Sequence, residues 1–268
     1  MNERYKTKIY SLLLSLVIVL IYNIGAYSKE IIELGEWNPV KLNELIDLSN
    51  QVKTPQKKID FISERFLSTP YTENTLTGDI DTDEIFTINL KGMDCFTYID
   101  YVVALNLSKN FKDFKEQLRE IRYRPGDVSF TNRNHFFSDW IVFNSDKLND
   151  VTETIGKDKI KKKTKTLNKI NDNTVYLPGI PIVKREIKYI PTERIDCSVL
   201  DSLKSGDYIG IYTDKPGLDV SHTGIIIKKD DKTYIRHASS RARNMKVVDE
   251  ELLSYLSHAP GIVIYRTK

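Results

Sequence analysis

The stretch HTGIIIKKDDKTYIRHASS, residues 222–240, constrains this chain more than any other. Two short runs, Thr223–Ile227 and Thr233–His237, are rich in β-branched residues and flank an Asp-Asp turn, the pattern of a β-hairpin. A further strand, SGDYIGIYT, precedes it after a Gly-Asp turn, and GIVIYR closes the chain as another. The N-terminal half reads differently. Pro39 to Leu48 has the pattern of a short helix. Thr54-Pro55 offers an N-cap followed by proline at the first helical position, and that helix runs to about Leu67. STPYTENTLTGD is a polar loop, EIFTINL a strand, and Phe111–Ile121 an amphipathic helix. Helices first and an antiparallel sheet after them predict an α+β fold, with helices packed on the sheet.

The two ends of the hairpin carry chemistry. His222 opens its first strand and His237 ends its second, and antiparallel pairing brings such ends side by side. The chain has four histidines; His135 and His258 are the others, and His258 falls in a late surface turn. It has two cysteines. Cys95, in KGMDCFTYIDYVVAL, follows a Gly-Met-Asp turn. Asp94 is a good N-cap, and apolar residues at Phe96, Ile99, Val102, Val103 and Leu107 have helical spacing. Cys95 then stands at the first position of an amphipathic helix. There the helix dipole favours thiolate, and the free amides could hold an oxyanion. A cysteine nucleophile needs a base and a group that orients it. Cys95, His222 and His237 supply the three. The competing readings are a disulfide between Cys95 and Cys197 and a small apolar core residue at 95. No His-Glu-x-x-His and no paired cysteines suggest a metal site, and no cofactor is expected.

Residues 1–28 read as a secretory signal peptide. MNERYKTK is a basic start, an apolar run follows, and Ala26-Tyr27-Ser28 is a small-x-small cleavage site. The run is long, so an uncleaved anchor over residues 9–26 is the alternative. Either way an exported, periplasmic or extracytoplasmic protein is expected. The remainder, 29–268, is long enough for a single domain: a helical part at 29–78 and a catalytic core at 79–268, with a long irregular insertion around 124–191. The formal net charge of +3 calls for no nucleic-acid partner, and the run GKDKIKKKTK reads as a solvated loop or helix face.

MDCFTYIDYV, SGDYIGIYT, SHTGIII and IRHASS, in that order, resemble the elements of the NlpC-type papain-like peptidases, bacterial cell-wall cysteine hydrolases. FLSTPYTENTL, RNHFFSDWI, YIPTERI, GLDVSHTGI and the terminal GIVIYR resemble more closely one subfamily, the N-acetylmuramoyl-L-alanine amidase-like family first described as a domain of unknown function. The resemblance spans about Phe66 to Arg266. It implies a papain-like α+β fold with Cys95 as nucleophile at a helix N-terminus, His222 as base and His237 as orienter. It also implies peptidoglycan or muropeptide fragments as substrate, cleaved between N-acetylmuramic acid and L-alanine. A γ-D-glutamyl endopeptidase and a non-catalytic muropeptide-binding module on the same fold are the alternatives. In one respect the chain departs from the NlpC pattern: Phe96-Thr97 follows the cysteine where Ser-Gly is usual. Tyr71 matches a tyrosine beside the nucleophile, or is a packed loop residue. Asp219 and Ser221, before His222, are candidate contacts to the stem peptide, with a structural turn as the other reading of Asp219. Arg133, His135 and Trp140 are candidates for a substrate wall, the rival being a helix-start cluster.

Overall fold

Each of the first helices begins where a short polar side chain can take up free amides. The computed structural model describes residues 30–125 and 127–268, so the segment read as a signal peptide or anchor lies outside the described residues. Helix α1 (Pro39–Asn50) starts after Asn38, whose side chain accepts from the Lys41 amide. Helix α2 (Pro55–Glu64) starts after Thr54, which accepts from the Lys57 amide. Both carry proline at the helix start, where no donor is lost. Strand β1 (Phe86–Asn89) leads into the turn before helix α3 (Cys95–Leu107), and helix α4 (Phe111–Arg122) follows. Among the described residues no helix is long and apolar enough to cross a membrane.

Helix α4 is amphipathic as its spacing predicts, burying Phe114, Leu118 and Ile121. Helix α3 is not: every residue from Thr97 to Asn106 is buried. The reason is its place in the fold. Helices α1, α2 and α4 pack around it, and the sheet lies against its remaining side. Its polar residues are therefore partnered inside. Asp100 receives Arg122 Nε at 3.0 Å and Trp140 Nε1 at 3.1 Å, while Arg122 Nη1 donates to the Thr87 carbonyl at 2.7 Å.

Where the sequence suggests a long irregular insertion, residues 137–191 carry regular elements. They contain helix α5 (Phe137–Phe143) and strands β2 (Leu148–Asp150), β3 (Lys161–Leu167) and β4 (Val183–Pro191). Helix α6 (Cys197–Ser202) then precedes strands β5 (Tyr208–Tyr212), β6 (Val220–Lys229), β7 (Lys232–Ser239), β8 (Lys246–Glu251) and β9 (Gly261–Thr267). The eight-stranded sheet runs β8-β7-β6-β5-β9-β4-β3, with β2 also paired to β9, and these pairings are antiparallel. The lysine run is thus divided: Lys157–Lys159 form a helical turn, and from Lys161 the chain is the edge strand β3. Lys161, Lys162 and Lys163 are exposed there, and charges on an edge strand discourage pairing with other chains. Lys165, by contrast, turns inward and caps the carbonyls of Thr213 and Lys215 at 2.9 and 2.8 Å.

The β6–β7 hairpin forms where the sequence places it. Asp230 and Asp231 both adopt positive φ, 51° and 59°, as a two-residue turn matched to strand twist requires. Arg236 fixes the hairpin against the helices. It forks onto Asp249 at 2.7 and 2.9 Å and reaches Asp60 Oδ1 and Ser63 Oγ on α2. Alternation along β5 feeds two cores: Tyr208 and Tyr212 join the helix side, Ile209 and Ile211 the opposite side under α6. Residues 31–268 form one compact unit.

The Arg122–Asp100 pair gives a direct test of this packing. In Arg122→Leu a carboxylate stays buried without its cation, so unfolding free energy should fall by about 3–5 kcal/mol. Arg122→Leu combined with Asp100→Leu should recover part of that loss. Urea unfolding followed by circular dichroism measures both; equal stability of the single and double variants would contradict the account.

Candidate active site

Cys95 owes its position to the turn before it. The Asn89 carboxamide accepts the Lys91 and Gly92 amides, each at 3.1 Å, and a Cβ at Gly92 would stand 2.2 Å from Thr72 Oγ1. The chain then enters α3 through a reciprocal cap. Asp94 Oδ1 accepts the Phe96 and Thr97 amides at 3.0 and 2.8 Å, and Thr97 Oγ1 accepts the Asp94 amide at 3.0 Å. Cys95 is the first helical residue, a free cysteine of intermediate exposure.

The electrostatics differ from the sequence expectation. Burial pushes the Cys95 thiol up to about 11, the Asp94 carboxylate adds to this, and hydrogen bonding from Thr223 only partly opposes it. Burial thus outweighs the help that a helix start gives a thiolate, and the Asp94 carboxylate at that helix start works in the same direction as burial.

His222 and His237 are brought together as the hairpin predicts, and the chain of contacts runs further. His222 Nε2 lies 2.7 Å from His237 Nδ1, and His237 Nε2 lies 3.0 Å from Glu250 Oε2. Register explains the alignment. Ile235 pairs with Ile226 on β6 and with Glu250 on β8, so each contact steps one strand across and two residues along, on one face. His222 is driven down to about 3 by burial, then by His237 and Arg241; His237 is driven down to about 4 by burial, with Glu250 opposing. Both rings are therefore neutral at rest. Thr223, next to His222, donates from Oγ1 to the Cys95 carbonyl at 2.8 Å and so docks β6 on the first turn of α3. Among the described residues no hydrogen bond joins the Cys95 thiol to His222.

Tyr71 packs at the same turn. Its amide donates to the Met245 carbonyl, its strand bridge is to Met93, and its hydroxyl is pushed up to about 12 by burial and then by the nearby Cys95. Tyr255 lies against His237 and His222, with ring centroids 4.9 and 6.1 Å away. The sequence reading misses Tyr255, Thr223 and Glu250. Glu250 leaves no local signal: it alternates with half-buried Val248 while the buried Val247 faces the other way, and only the strand order connects it to the histidines.

The expected substrate wall divides. Arg133 and His135 line a cavity of about 620 Å³ together with Asp94, Phe96 and Thr97. Arg133 pairs with Glu84 at 3.0 Å. His135 Nε2 meets the Phe130 carbonyl at 2.7 Å, and burial, then Arg133, lowers its pKa to about 4. Trp140 is a core residue instead, fully buried with its indole N–H on Asp100. Asp219 is also structural: its buried carboxylate accepts the Ser138 amide at 2.6 Å, within the first turn of α5, and the Val220 amide at 2.7 Å. Ser221 is exposed, its hydroxyl 3.4 Å from the Ile211 carbonyl. His258 lies in a short helical turn before β9. Cys197 is an exposed free thiol beside the Lys228–Thr233 turn, the opposite end of β6 from His222, so the two cysteines are not a disulfide. Among the described residues no three His, Cys, Asp or Glu side chains are grouped to hold a metal ion.

The role given to Asp94 can be read without substrate. Asparagine keeps the cap and removes the charge. Asp94→Asn should therefore lower the Cys95 pKa and raise the thiolate fraction at neutral pH, about tenfold if the pKa falls by one. Iodoacetamide labelling of Cys95, followed by peptide mass spectrometry with Cys197 as internal reference, should accelerate; an unchanged rate would refute the electrostatic assignment.

Comparisons with known proteins show which family the chain belongs to. The model of the N-acetylmuramoyl-L-alanine amidase-like family matches residues 61–262. An N-acetylmuramoyl-L-alanine amidase from Bacteroides uniformis superposes with a TM-score of 0.70 at 28% identity, over 81% of this chain and 100% of its own. A Legionella pneumophila protein of a domain-of-unknown-function family gives a TM-score of 0.72 at 25% identity, covering 85% and 94%. A Bacteroides fragilis protein put forward as a xylanase gives 0.65 at 30%, covering 76% and 98%. No curated protein matches. With about three quarters of its length matched by the family model, and helices and antiparallel sheet shared with a solved amidase, this chain belongs to the N-acetylmuramoyl-L-alanine amidase-like family.

Proposed function

We propose that this chain is an exported cysteine amidase that cleaves the amide between N-acetylmuramic acid and L-alanine in peptidoglycan or its fragments. The observation that carries the reading is the docking of Cys95, at a capped helix start, against the strand that bears His222 and its hydrogen-bonded partner His237. The family name and the Bacteroides uniformis amidase supply the bond. The basic and apolar N-terminal segment supports export. Xylan hydrolysis would ask for two carboxyl groups flanking the scissile bond. Here Asp94 is committed to the helix cap and Glu250 to His237 and two arginines.

In the proposed cycle the Cys95 sulfur attacks the lactyl carbonyl carbon while His222 takes the thiol proton. The oxyanion forms near the Cys95 N–H, an amide that Asp94 Oδ1 leaves unclaimed in accepting Phe96 and Thr97. Collapse of the tetrahedral intermediate breaks the C–N bond, and His222 returns its proton to the departing alanine amine. A water, deprotonated by His222, then hydrolyses the thioester and releases the muramic acid carboxylate and the thiol. His237 holds the ring of His222 throughout.

Three outcomes are expected. Mass spectrometry of a defined muramoyl-peptide should show release of the intact stem peptide by the wild type and by Cys197→Ala, and none by Cys95→Ala. His222→Ala should lose about 10²- to 10⁴-fold in rate, the scale of general-base removal. Cleavage within the stem peptide would identify an endopeptidase instead. For pH, the base must be neutral to accept the thiol proton. Because burial holds His222 down at about 3, the rate should fall only as pH drops toward that value. kcat/KM at pH 5 should thus keep at least about half of its neutral value, and an acid limb near the ordinary histidine pKa of about 6.5 would contradict the neutral pair.

A further inference from the structure

We propose that Glu250 is a positioning residue that fixes the proton positions on both histidines and so leaves His222 Nδ1 as the bare nitrogen facing the reaction. The inference rests on the reading of His222 as base. It starts from the surroundings of one carboxylate. Glu250 Oε1 faces Arg241 Nη1 at 3.0 Å and Arg243 Nη2. Glu250 Oε2 faces Asn244 Nδ2 at 3.2 Å and His237 Nε2 at 3.0 Å. Arg241, Arg243 and Asn244 donate to the two oxygens, and the two guanidinium charges keep Glu250 ionised, so it acts as acceptor only toward His237.

The proton positions then follow one after another. An acceptor at Oε2 requires hydrogen on His237 Nε2. His237 is fully buried, which disfavours a cationic ring, so its Nδ1 carries a lone pair. That lone pair lies 2.7 Å from His222 Nε2, which must therefore be the N–H. His222 Nδ1 is left bare, the state a general base needs. Arg241 is held over the Tyr255 ring at 4.2 Å, and the same ring lies against both imidazoles, so the clamp and the histidines share one wall.

The test is the rank order of three substitutions. In Glu250→Gln the two arginines, which only donate, claim the carboxamide oxygen. The amide NH₂ then points at His237 Nε2. His237 must move its proton to Nδ1, His222 must present a bare Nε2, and the proton ends on His222 Nδ1, where the base should be empty. Glu250→Ala removes the instruction without reversing it. We expect Glu250→Gln to lose about 10²- to 10⁴-fold in kcat with KM little changed, as for loss of a general base. Glu250→Ala should lose less, and Glu250→Asp should keep the most activity of the three. A merely structural role would make glutamine the mildest change, and that order overturns the proposal. A second readout needs no substrate. Long-range proton–nitrogen spectra of the ¹⁵N-histidine-labelled protein should show His222 and His237 as Nε2–H tautomers in the wild type and as Nδ1–H tautomers in folded Glu250→Gln. A wild-type His222 protonated at Nδ1 refutes the assignment whatever the enzyme is found to cleave. Correct tautomers with an active Cys95→Ala would instead sink the cysteine mechanism and leave the proton positions standing.

Discussion

The hydrogen bond from Thr223 Oγ1 to the Cys95 carbonyl joins the two layers of this protein at the candidate site. One partner belongs to the first turn of helix α3, the other to strand β6 of the sheet. Everything that holds either partner in place therefore holds the site. On the helix side this is the Asp94–Thr97 cap and the turn anchored by Asn89. On the sheet side it is the β6–β7 hairpin, braced by Arg236 against α2 and β8. Helix α3 cannot drift, because it is buried all round and its one internal carboxylate is tied to Arg122 and Trp140.

Burial also sets the charge state. A thiol at a helix N-terminus is commonly stabilised as thiolate by the dipole. Here burial outweighs that help, the Asp94 carboxylate works in the same direction as burial, and both histidines sit in low-dielectric surroundings that penalise the imidazolium. Thiol and imidazole rest neutral. In the proposed cycle the separation of charge is deferred to the moment of attack, where the oxyanion and substrate amide are present to stabilise it. The fixed charges lie further back, at Glu250, Arg241 and Arg243, where they orient rings without ionising them.

The residues after the cysteine acquire a physical reason as well. Thr97 is needed because its hydroxyl closes the cap by accepting the Asp94 amide. Phe96 packs edge-on to Trp140 at 6.5 Å between ring centroids and lines the cavity beside Arg133 and His135. The Phe-Thr pair, a departure from the Ser-Gly common in NlpC-type enzymes, therefore shapes the approach to the helix start as well as its capping.

Much of this was written in local patterns. Period-two runs around an Asp-Asp turn determine the β6–β7 hairpin and put His222 and His237 on adjacent strand ends. Cap residues determine where α1, α2 and α3 begin, and so place Cys95 at a first turn. Those signals are short-range, and the sequence carries them in full. What it does not carry is which surfaces meet. The spacing in α3 reads as amphipathic, yet packing on every side buries it. The lysine run reads as solvated loop or helix, yet from Lys161 onward pairing with β4 makes it an edge strand. Trp140 and Asp219 read as candidates for substrate, yet the core claims the first and the amides of Ser138 and Val220 the second. Nothing in the local sequence marks Glu250. Only the strand order β6-β7-β8, with its diagonal register, sets it behind His237. Only burial decides that the pair it orients is neutral, because desolvation depends on what the rest of the chain wraps around a group, not on the group's neighbours in sequence.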